Sequence, residues 1–323
     1  KGVLWEPFCG ELKSGELQRN LYKSIDGSRV IFEEINVGLA LTYRYSWSTS
    51  DRFGFVKQSE LINLGGEAVE VRLLDGIQNL VPYGIDQDFV TQFSNLADAY
   101  KKNELLESEG LGVYYLSSIP TDRAEPSEGL KATVAWSIGL EAESVLLSPR
   151  QVDAFRSGEP LCLEDETRGL RCAYFVESRL SLAAGSRQEW IVVADINQDA
   201  ADVEAARVAL GDKVELKAAL LEDIDLSRSV LVGKIGASDG LQLTSDPLRD
   251  ARHCSNTMFN IMRGGIFDDG YAVGLADFKK YLASWNTRVL STHETRLGEF
   301  RETLSCFDLV KWAEGTGDLD LIR

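Results

Sequence analysis

The segment VGLALTYRYSW, residues 37–47, places Val37, Leu39, Leu41, Tyr43, Tyr45 and Trp47 at every second position. Successive side chains of a strand point to opposite faces, so this spacing lines one face of an extended segment. A helix would scatter the same residues around its circumference. Such a face has to be buried, which commits the first part of the chain to a packed sheet. Further strands are expected over 29–36, 53–63, 111–117, 130–138, 171–182 and 188–194. The connections between them are polar or contain glycine, and helical crossovers are scarce. That pattern implies antiparallel sheets packed face to face. The segment NLADAYKKNELLESE (95–109) fits strand or helix by pattern alone. SPRQVDAFRSG (148–158) predicts a short helix that stops at Gly158.

The stretch NLGGEAVEVRLLDGIQNLVPYG (63–84) begins as an alternating strand, with Val69, Val71 and Leu73 on one face and Glu70 and Arg72 on the other. It then sets Asp75, Gln78 and Asn79 among Ile77, Leu80 and Val81. Two readings are open. Asp75 and Gly76 make a turn and the amides tie a loop to the backbone, or these planar polar groups sit at a strand end and meet sugar hydroxyls, which both donate and accept. Trp47, read as the end of its own strand, offers a flat apolar face to the same kind of ligand.

After Asp195 the hydrophobic period changes from two to that of a helix. DAADVEAARVALG has an Asp start and a Gly stop. DPLRDARHCSNTMFNIMRGG carries Asp246 at the N-cap, Pro247 at the first helical position and Gly264 just past the end. Leu275, Phe278, Leu282, Trp285 and Val289 step by three and four and predict one further helix. STHE offers a capping box, Ser291 with Glu294, ahead of Leu297, Phe300 and Leu304. The layout predicted is a mainly β part, residues 1–197, followed by a helical part, residues 198–323.

The chain has 323 residues and a net charge of −17. A general nucleic-acid binder needs a basic surface to neutralise phosphates, and so does a protein held at an anionic membrane. Both are excluded as expectations. No apolar run approaches the roughly 20 residues that span a bilayer. The first residue is not Met and no signal layout follows it, so the chain is expected to be part of a longer one. Five cysteines at wide spacing, with no C-x-x-C, predict free buried thiols in a reducing, cytoplasmic setting. Only His253 and His293 are present, and neither has a metal-ligand partner at helical spacing. No nucleophile elbow, phosphate loop or dinucleotide fingerprint occurs.

Three more groups of residues could carry chemistry. On a helix over 247–263, Arg249, His253, Asn256, Asn260 and Arg263 form one polar stripe opposite Ala251, Cys254, Met258 and Met262. Asn and His are poor helix formers, so the stripe is either a ligand or domain contact or a plain polar seam. At 263–265, Arg-Gly-Gly reads as a glycine stop rather than an anion site, because a helix C-terminus disfavours anions. In TDRAEPSEGL, Asp122, Arg123, Glu125 and Glu128 surround Pro126. Paired carboxylates are what glycoside hydrolysis needs, yet a short acidic turn around Pro is usually just solvated, and a sugar or interdomain contact is the next reading ahead of catalysis.

Three segments together resemble one family. YSWSTSDRFGFVKQSELINLGGEAVEVRLLDGIQNLVPYG (45–84), RLSLAAGSRQEWIVVADINQDAADVEAARVAL (179–210) and RHCSNTMFNIMRGGIFDDGYAVGLADFKKYLASWN (252–286) are similar to the N-terminal region of cellobiose-phosphorylase-type proteins, glycoside hydrolase family 94 and its relatives. The resemblance implies an antiparallel β-supersandwich of the galactose-mutarotase kind, followed by an α-helical linker region. It implies a carbohydrate partner, a homodimer interface, and inorganic phosphate as co-substrate of the parent enzyme, with no other cofactor. It also implies that the general acid and most of the phosphate site lie in a following (α/α)₆ barrel. Twelve helices need roughly 300 residues, and only about 125 follow the β part. No catalytic residue is therefore carried over. The contact candidates are Trp47, Asp75, Gln78, Asn79, Arg123, Glu128, His253, Asn256, Asn260 and Arg263. A stand-alone carbohydrate-binding or assembly module, using Tyr43, Tyr45 and Trp47, is the alternative. A mutarotase-like epimerase would need an acid–base pair in the sandwich, and both histidines lie in the helical part.

Overall fold

The computed structural model describes residues 2–10, 16–85, 89, 91, 96–118, 130–264 and 271–323. Two compact units emerge, one built from residues 1–24 and 28–227 and the other from 25–27 and 228–323.

The first unit is mainly antiparallel β. A nine-stranded sheet runs in the order β1 (Leu17–Lys23), β2 (Val30–Asn36), β3 (Leu41–Ser50), β4 (Gly54–Asn63), β12 (Arg187–Gln198), β8 (Ala132–Ile138), β7 (Leu111–Leu116), β6 (Lys101–Leu106) and β10 (Glu166–Arg168). A three-stranded sheet of β5 (Val69–Leu80), β11 (Cys172–Leu182) and β9 (Ser144–Leu146) packs on one face of it. The core between them joins Tyr43, Leu61, Tyr114, Trp190 and Val192 of the large sheet to Val71, Leu73, Val176 and Leu180 of the small one.

The other face of the large sheet is covered by helices. Asp199 caps α3 (Ala200–Ala209) through a capping box with Asp202, and α4 (Lys213–Ala237) follows. Leu210, Leu216 and Leu220 pack there on Val56, Val134, Trp136, Ile191 and Val193. Strand β12 is thus buried on both sides, which is why Trp190 to Ala194 form an unbroken apolar run rather than an alternation. The short helices α1 (Leu96–Ala99) and α2 (Val152–Arg156) lie between strands.

Several local expectations hold and others need correction. The ambiguous 95–109 segment is helix α1 and then strand β6. The strand predicted from Val37 starts at Leu41, because residues 37–40 form a turn with Ala40 at φ 51°. Trp47 consequently lies inside β3, opposite Val30 and Lys57, not at its end. The thiols are free, but Cys9 and Cys162 are exposed and Cys306 is half-buried; only Cys172 and Cys254 are buried.

The second unit contains α5 (Pro247–Met262), α6 (Leu275–Trp285), α7 (Thr287–Leu297), α8 (Cys306–Thr316), α9 (Leu319–Ile322) and a two-stranded ribbon of β13 (Ala272–Gly274) with β14 (Thr303–Ser305). Asp246 caps α5 by accepting from the Leu248 N–H at 3.1 Å, and Gly264 ends the helix region at φ 73°. The helix expected to continue from Leu275 to Val289 breaks at Asn286. Its side chain accepts from the Val289 N–H at 3.2 Å and so opens a new helix. Trp285 is left 78% exposed. Ser291 is no cap: it sits inside α7, and its hydroxyl donates to the Arg288 carbonyl at 2.9 Å. Leu275, Leu282, Val289, Leu297, Ala313 and Leu321 build a core of their own.

Strand β5 is continuous through Asp75 and Gly76, so no turn forms there. A methyl group on Gly76 would lie 1.8 Å from the Tyr174 carbonyl oxygen on β11. Gly76→Ala is therefore expected to lower the free energy of unfolding by about 3 kcal/mol. Gly66→Ala, with open space around the added carbon, should leave it unchanged. Denaturant unfolding followed by circular dichroism compares the two.

Candidate functional site: two faces of strands β3, β4 and β12

The strand period of two sends alternate residues of β3 and β4 to opposite faces of the large sheet. One face meets the small sheet. There the Lys57 ammonium donates to Asp75 Oδ1 at 2.5 Å and to the Gly76 carbonyl at 3.0 Å. Tyr43 donates to the same Asp75 oxygen at 3.1 Å. The second oxygen accepts from Trp190 Nε1 at 2.7 Å and Ser59 Oγ at 3.2 Å. The Lys57 and Asp75 side chains are only 8% and 12% exposed. Burial by itself would raise the Asp75 pKa. The Lys57 charge and its hydrogen bond, with the Trp190 and Gly76 N–H groups, outweigh it and hold the carboxyl below its ordinary value. The Tyr43 hydroxyl is pushed well upward by burial and by the Asp75 charge. A carboxylate with both oxygens occupied and a depressed pKa stays ionised and has no proton to donate. Asp75 is a bridge between sheets.

Three buried glutamates also meet structural partners. Glu34 accepts from Trp5 Nε1 at 2.7 Å, the Phe8 N–H at 2.9 Å and Arg19 Nε at 2.6 Å. Glu164 accepts from the Leu147 and Ser148 N–H groups, each at 2.8 Å. Glu177 meets Arg72 Nε at 2.7 Å.

A cavity of about 390 Å³ opens where β2, β3, β4 and β12 meet the first turns of α4. Its polar lining includes Arg29, Arg44, Ser46, Gln58, Glu60, Arg187, Glu189 and Lys217, with Ile31, Ile191 and Leu221 as apolar wall; Ser59 and Trp190 also border it. Arg44 is neutralised by Glu33 and by Glu60 at 2.5 Å. Burial raises the Glu33 pKa, but the Asn20 amide and the Arg44 guanidinium bring it below the ordinary carboxylate value. Arg187 Nε meets Glu189 at 3.1 Å. All of these residues belong to the first unit.

The residues expected from the sequence to make contacts do not all converge. Asp75 joins the buried bridge. Gln78 and Asn79 are exposed on β5, and Asn79 adopts φ 58°. The register shifts there, with Leu80 opposite Cys172 and Gln78 opposite Ala173, so Asn79 is the extra residue of a bulge. Trp47 is half-buried in β3. Tyr43 and Tyr45 are core aromatics: Tyr43 stacks near Trp190, and Tyr45 stacks on Phe32 at 4.9 Å between centroids. Arg123 and Glu128 fall outside the described residues. In the second unit, His253 Nε2 bonds the Asp239 carbonyl at 2.7 Å. The Asn260 amide donates to the Asn256 carbonyl of its own helix at 2.9 Å. The Arg263 guanidinium lies 5.2 Å from the Phe259 ring centre. No group of three or more His, Cys, Asp or Glu side chains that would hold a metal occurs among the described residues.

Sequence reasoning missed Lys57, Trp190 and Ser59 as partners of Asp75, and the whole charged cavity. A signal existed for the cavity. The alternation that puts Tyr43, Tyr45 and Trp47 on one face of β3 puts Arg44 and Ser46 on the other, and Arg is a costly choice for a face bound for an apolar core.

Residues 267–323 match the family model described as "Glycoside hydrolase family 149 insertion domain 1". The segment is similar to a glycoside hydrolase domain. It coincides with the part of the second unit that holds β13, α6, α7, β14, α8 and α9. The resemblance to phosphorylase-type proteins read from the sequence stands beside this match. No curated protein is significantly similar to the chain. Among solved structures, a bacterial glucoamylase complexed with acarbose aligns at 10% identity and a TM-score of 0.43, over 73% of this chain and 31% of that one. A structure described as "Putative kojibiose phosphorylase from human microbiome" aligns at 9% identity and a TM-score of 0.45, over 76% of this chain and 28% of that one. The chain thus spans under a third of either neighbour. No helix among the described residues is long and apolar enough to cross a membrane.

The bridge makes a sharp stability prediction. Asp75→Ala leaves the buried Lys57 ammonium without a counter-charge and the Trp190 indole N–H without its acceptor, and should cost about 3–5 kcal/mol. The double change Lys57→Met with Asp75→Leu removes the buried charge and leaves only the neutral indole N–H unpaired, so it should cost less, about 1–3 kcal/mol. Because the Asp75 pKa is lowered by folding, its contribution is present above the unfolded carboxyl pKa, about 3.9. It is lost as pH falls through the folded value. The double variant should lack that part of the acid limb in a plot of unfolding free energy against pH.

Proposed function

We propose that this chain is the amino-terminal β-supersandwich and helical part of a carbohydrate-active enzyme, an inverting glycoside phosphorylase or hydrolase. The single observation that carries the reading is the match of residues 267–323 to a glycoside hydrolase family 149 insertion domain. The state of the acids supports the division of labour. Asp75, Glu34 and Glu164 are each held by several structural partners and Glu177 by Arg72, whereas glycosidic cleavage requires one carboxyl free to give up a proton. In this reading a following (α/α)₆ barrel supplies that acid, and phosphate or an activated water attacks the anomeric carbon from the opposite face. The β unit then forms a rim of the reaction site and a surface for a homodimer, and the parent protein works in the cytoplasm.

A second reading, a stand-alone carbohydrate-binding module, draws on a different observation. Tyr281 and Trp285 are 58% and 78% exposed on α6, with ring centres 6.2 Å apart. Adjacent exposed rings suit the apolar faces of sugars.

Assay of β-glucoside cleavage with and without phosphate compares this chain with a longer polypeptide that carries the barrel. Turnover is expected only from the longer form, and turnover by the 323-residue chain would overturn the proposal. Calorimetric titration of the chain with neutral oligosaccharides should show negligible heat; tight binding would favour the module.

A further inference from the structure

We infer that the cavity beside α4 is a binding site for a small organic anion of sugar size, carrying a phosphate ester or a carboxylate. The inference does not depend on the catalytic reading above, since it rests on the cavity's own charges.

The lining holds four cationic side chains, Arg29, Arg44, Arg187 and Lys217, against two anionic ones, Glu60 and Glu189. It is a positive spot on a chain whose net charge is −17. Such a reversal is unfavourable for a protein to arrange by accident, because the abundant acids would settle around any free cation. The pairings show which cations are spoken for. Arg44 faces Glu33 and Glu60, and Arg187 faces Glu189.

Arg29 and Lys217 remain. The Arg29 guanidinium is held by neutral acceptors, Gln58 Oε1 at 2.9 Å and Ser46 Oγ at 3.1 Å, both through one terminal nitrogen. Among the described residues no carboxylate lies within ion-pair distance of it, so it is oriented by neutral groups, and the rest of its planar fork is left to meet two oxygens of a carboxylate or phosphate at once. Lys217 is half-buried. Among the described residues it has no carboxylate within ion-pair distance.

The remaining lining indicates the rest of the ligand. Ser46, Gln58 and Glu60 offer donors and acceptors in the pattern that hydroxyl groups need. Ile31, Ile191 and Leu221 supply an apolar wall. A volume of about 390 Å³ falls at the small end of ordinary ligand sites, which run from about 300 to 1,000 Å³. A bare inorganic ion would leave most of it unfilled.

Isothermal titration of the full chain at low ionic strength tests the inference with four probes: a hexose monophosphate, a hexuronate, the neutral hexose and inorganic phosphate. The hexose monophosphate or the hexuronate is expected to bind, and which one does so identifies the anionic group. Binding should weaken as salt is added. Arg29→Gln and Lys217→Met should each reduce affinity at least tenfold with an unchanged melting temperature. Arg29→Lys, which keeps the charge and loses the fork, should recover only part of it. Arg249→Gln, in the other unit, should change nothing. Absence of binding by both anionic sugars overturns the inference. So does neutral hexose or inorganic phosphate binding as tightly as they do, or full affinity in both Arg29→Gln and Lys217→Met. None of these outcomes bears on turnover by the barrel-containing form, so the two proposals fail separately.

Discussion

The bridge between Lys57 and Asp75 ties β4 of the large sheet to β5 of the small one across the interior of the sandwich. An ion pair taken out of water gains little net stability, because desolvation offsets most of the attraction. Its effect is on arrangement. A slip of β5 by one residue would turn Asp75 outward, strand the Lys57 ammonium in the core and bring Gly76 out of the place where it lies against the Tyr174 carbonyl. Apolar contacts between Val71, Leu73 and Tyr43 would tolerate several registers; the saturated carboxylate tolerates one. The rest of the β unit builds on that register, including the β11 pairing that places Val176 opposite Asp75.

The same strands serve two environments because both faces of the large sheet are occupied. Inward, Tyr43, Lys57 and Trp190 meet the small sheet. Outward, Val56, Ile191 and Val193 meet α3 and α4, while Arg44, Ser46, Gln58 and Glu60 line an open cavity. The helices cover only the apolar part of the outer face. Beyond that patch the outward residues of β2, β3 and β4 mix Glu33, Arg44, Ser46, Gln58 and Glu60 with Ile31, Ile35 and Ile62. The helical unit solves its own problem on a smaller scale. Six buried aliphatic side chains from α6 to α9 form its core, and the β13–β14 ribbon adds a hydrogen-bonded clasp at Ala272–Ser305 and Gly274–Thr303.

Much of this was legible beforehand, and the failures have physical causes. Alternation and short apolar runs located β2, β4, β7, β8, β11 and β12, since both patterns are properties of neighbouring residues. Asp199, Asp246 with Pro247, and Gly264 were readable as helix ends because caps act over three or four residues. The errors came where a local pattern met a distant demand. Val37 and Leu39 continue the β3 alternation but lie in a turn. Val289 continues the α6 stepping but belongs to α7, since Leu282 and Val289 enter the same core from either side of the break at Asn286. Ser291 and Glu294 have the letters of a capping box, yet the helix had already begun.

The amino-acid order by itself determined that the chain would form antiparallel sheets and then helices, where several of these elements begin, and that Asp75 was out of place in an apolar strand. Only the tertiary structure decided what Asp75 is for. Its partners Lys57 and Trp190 are 18 and 115 positions away, and no periodicity relates residues at such separations. The cavity was likewise a product of packing. Arg29, Gln58 and Lys217 come from the β1–β2 connection, β4 and α4, and their shared surroundings exist only once the strands have paired and α4 has settled on the sheet.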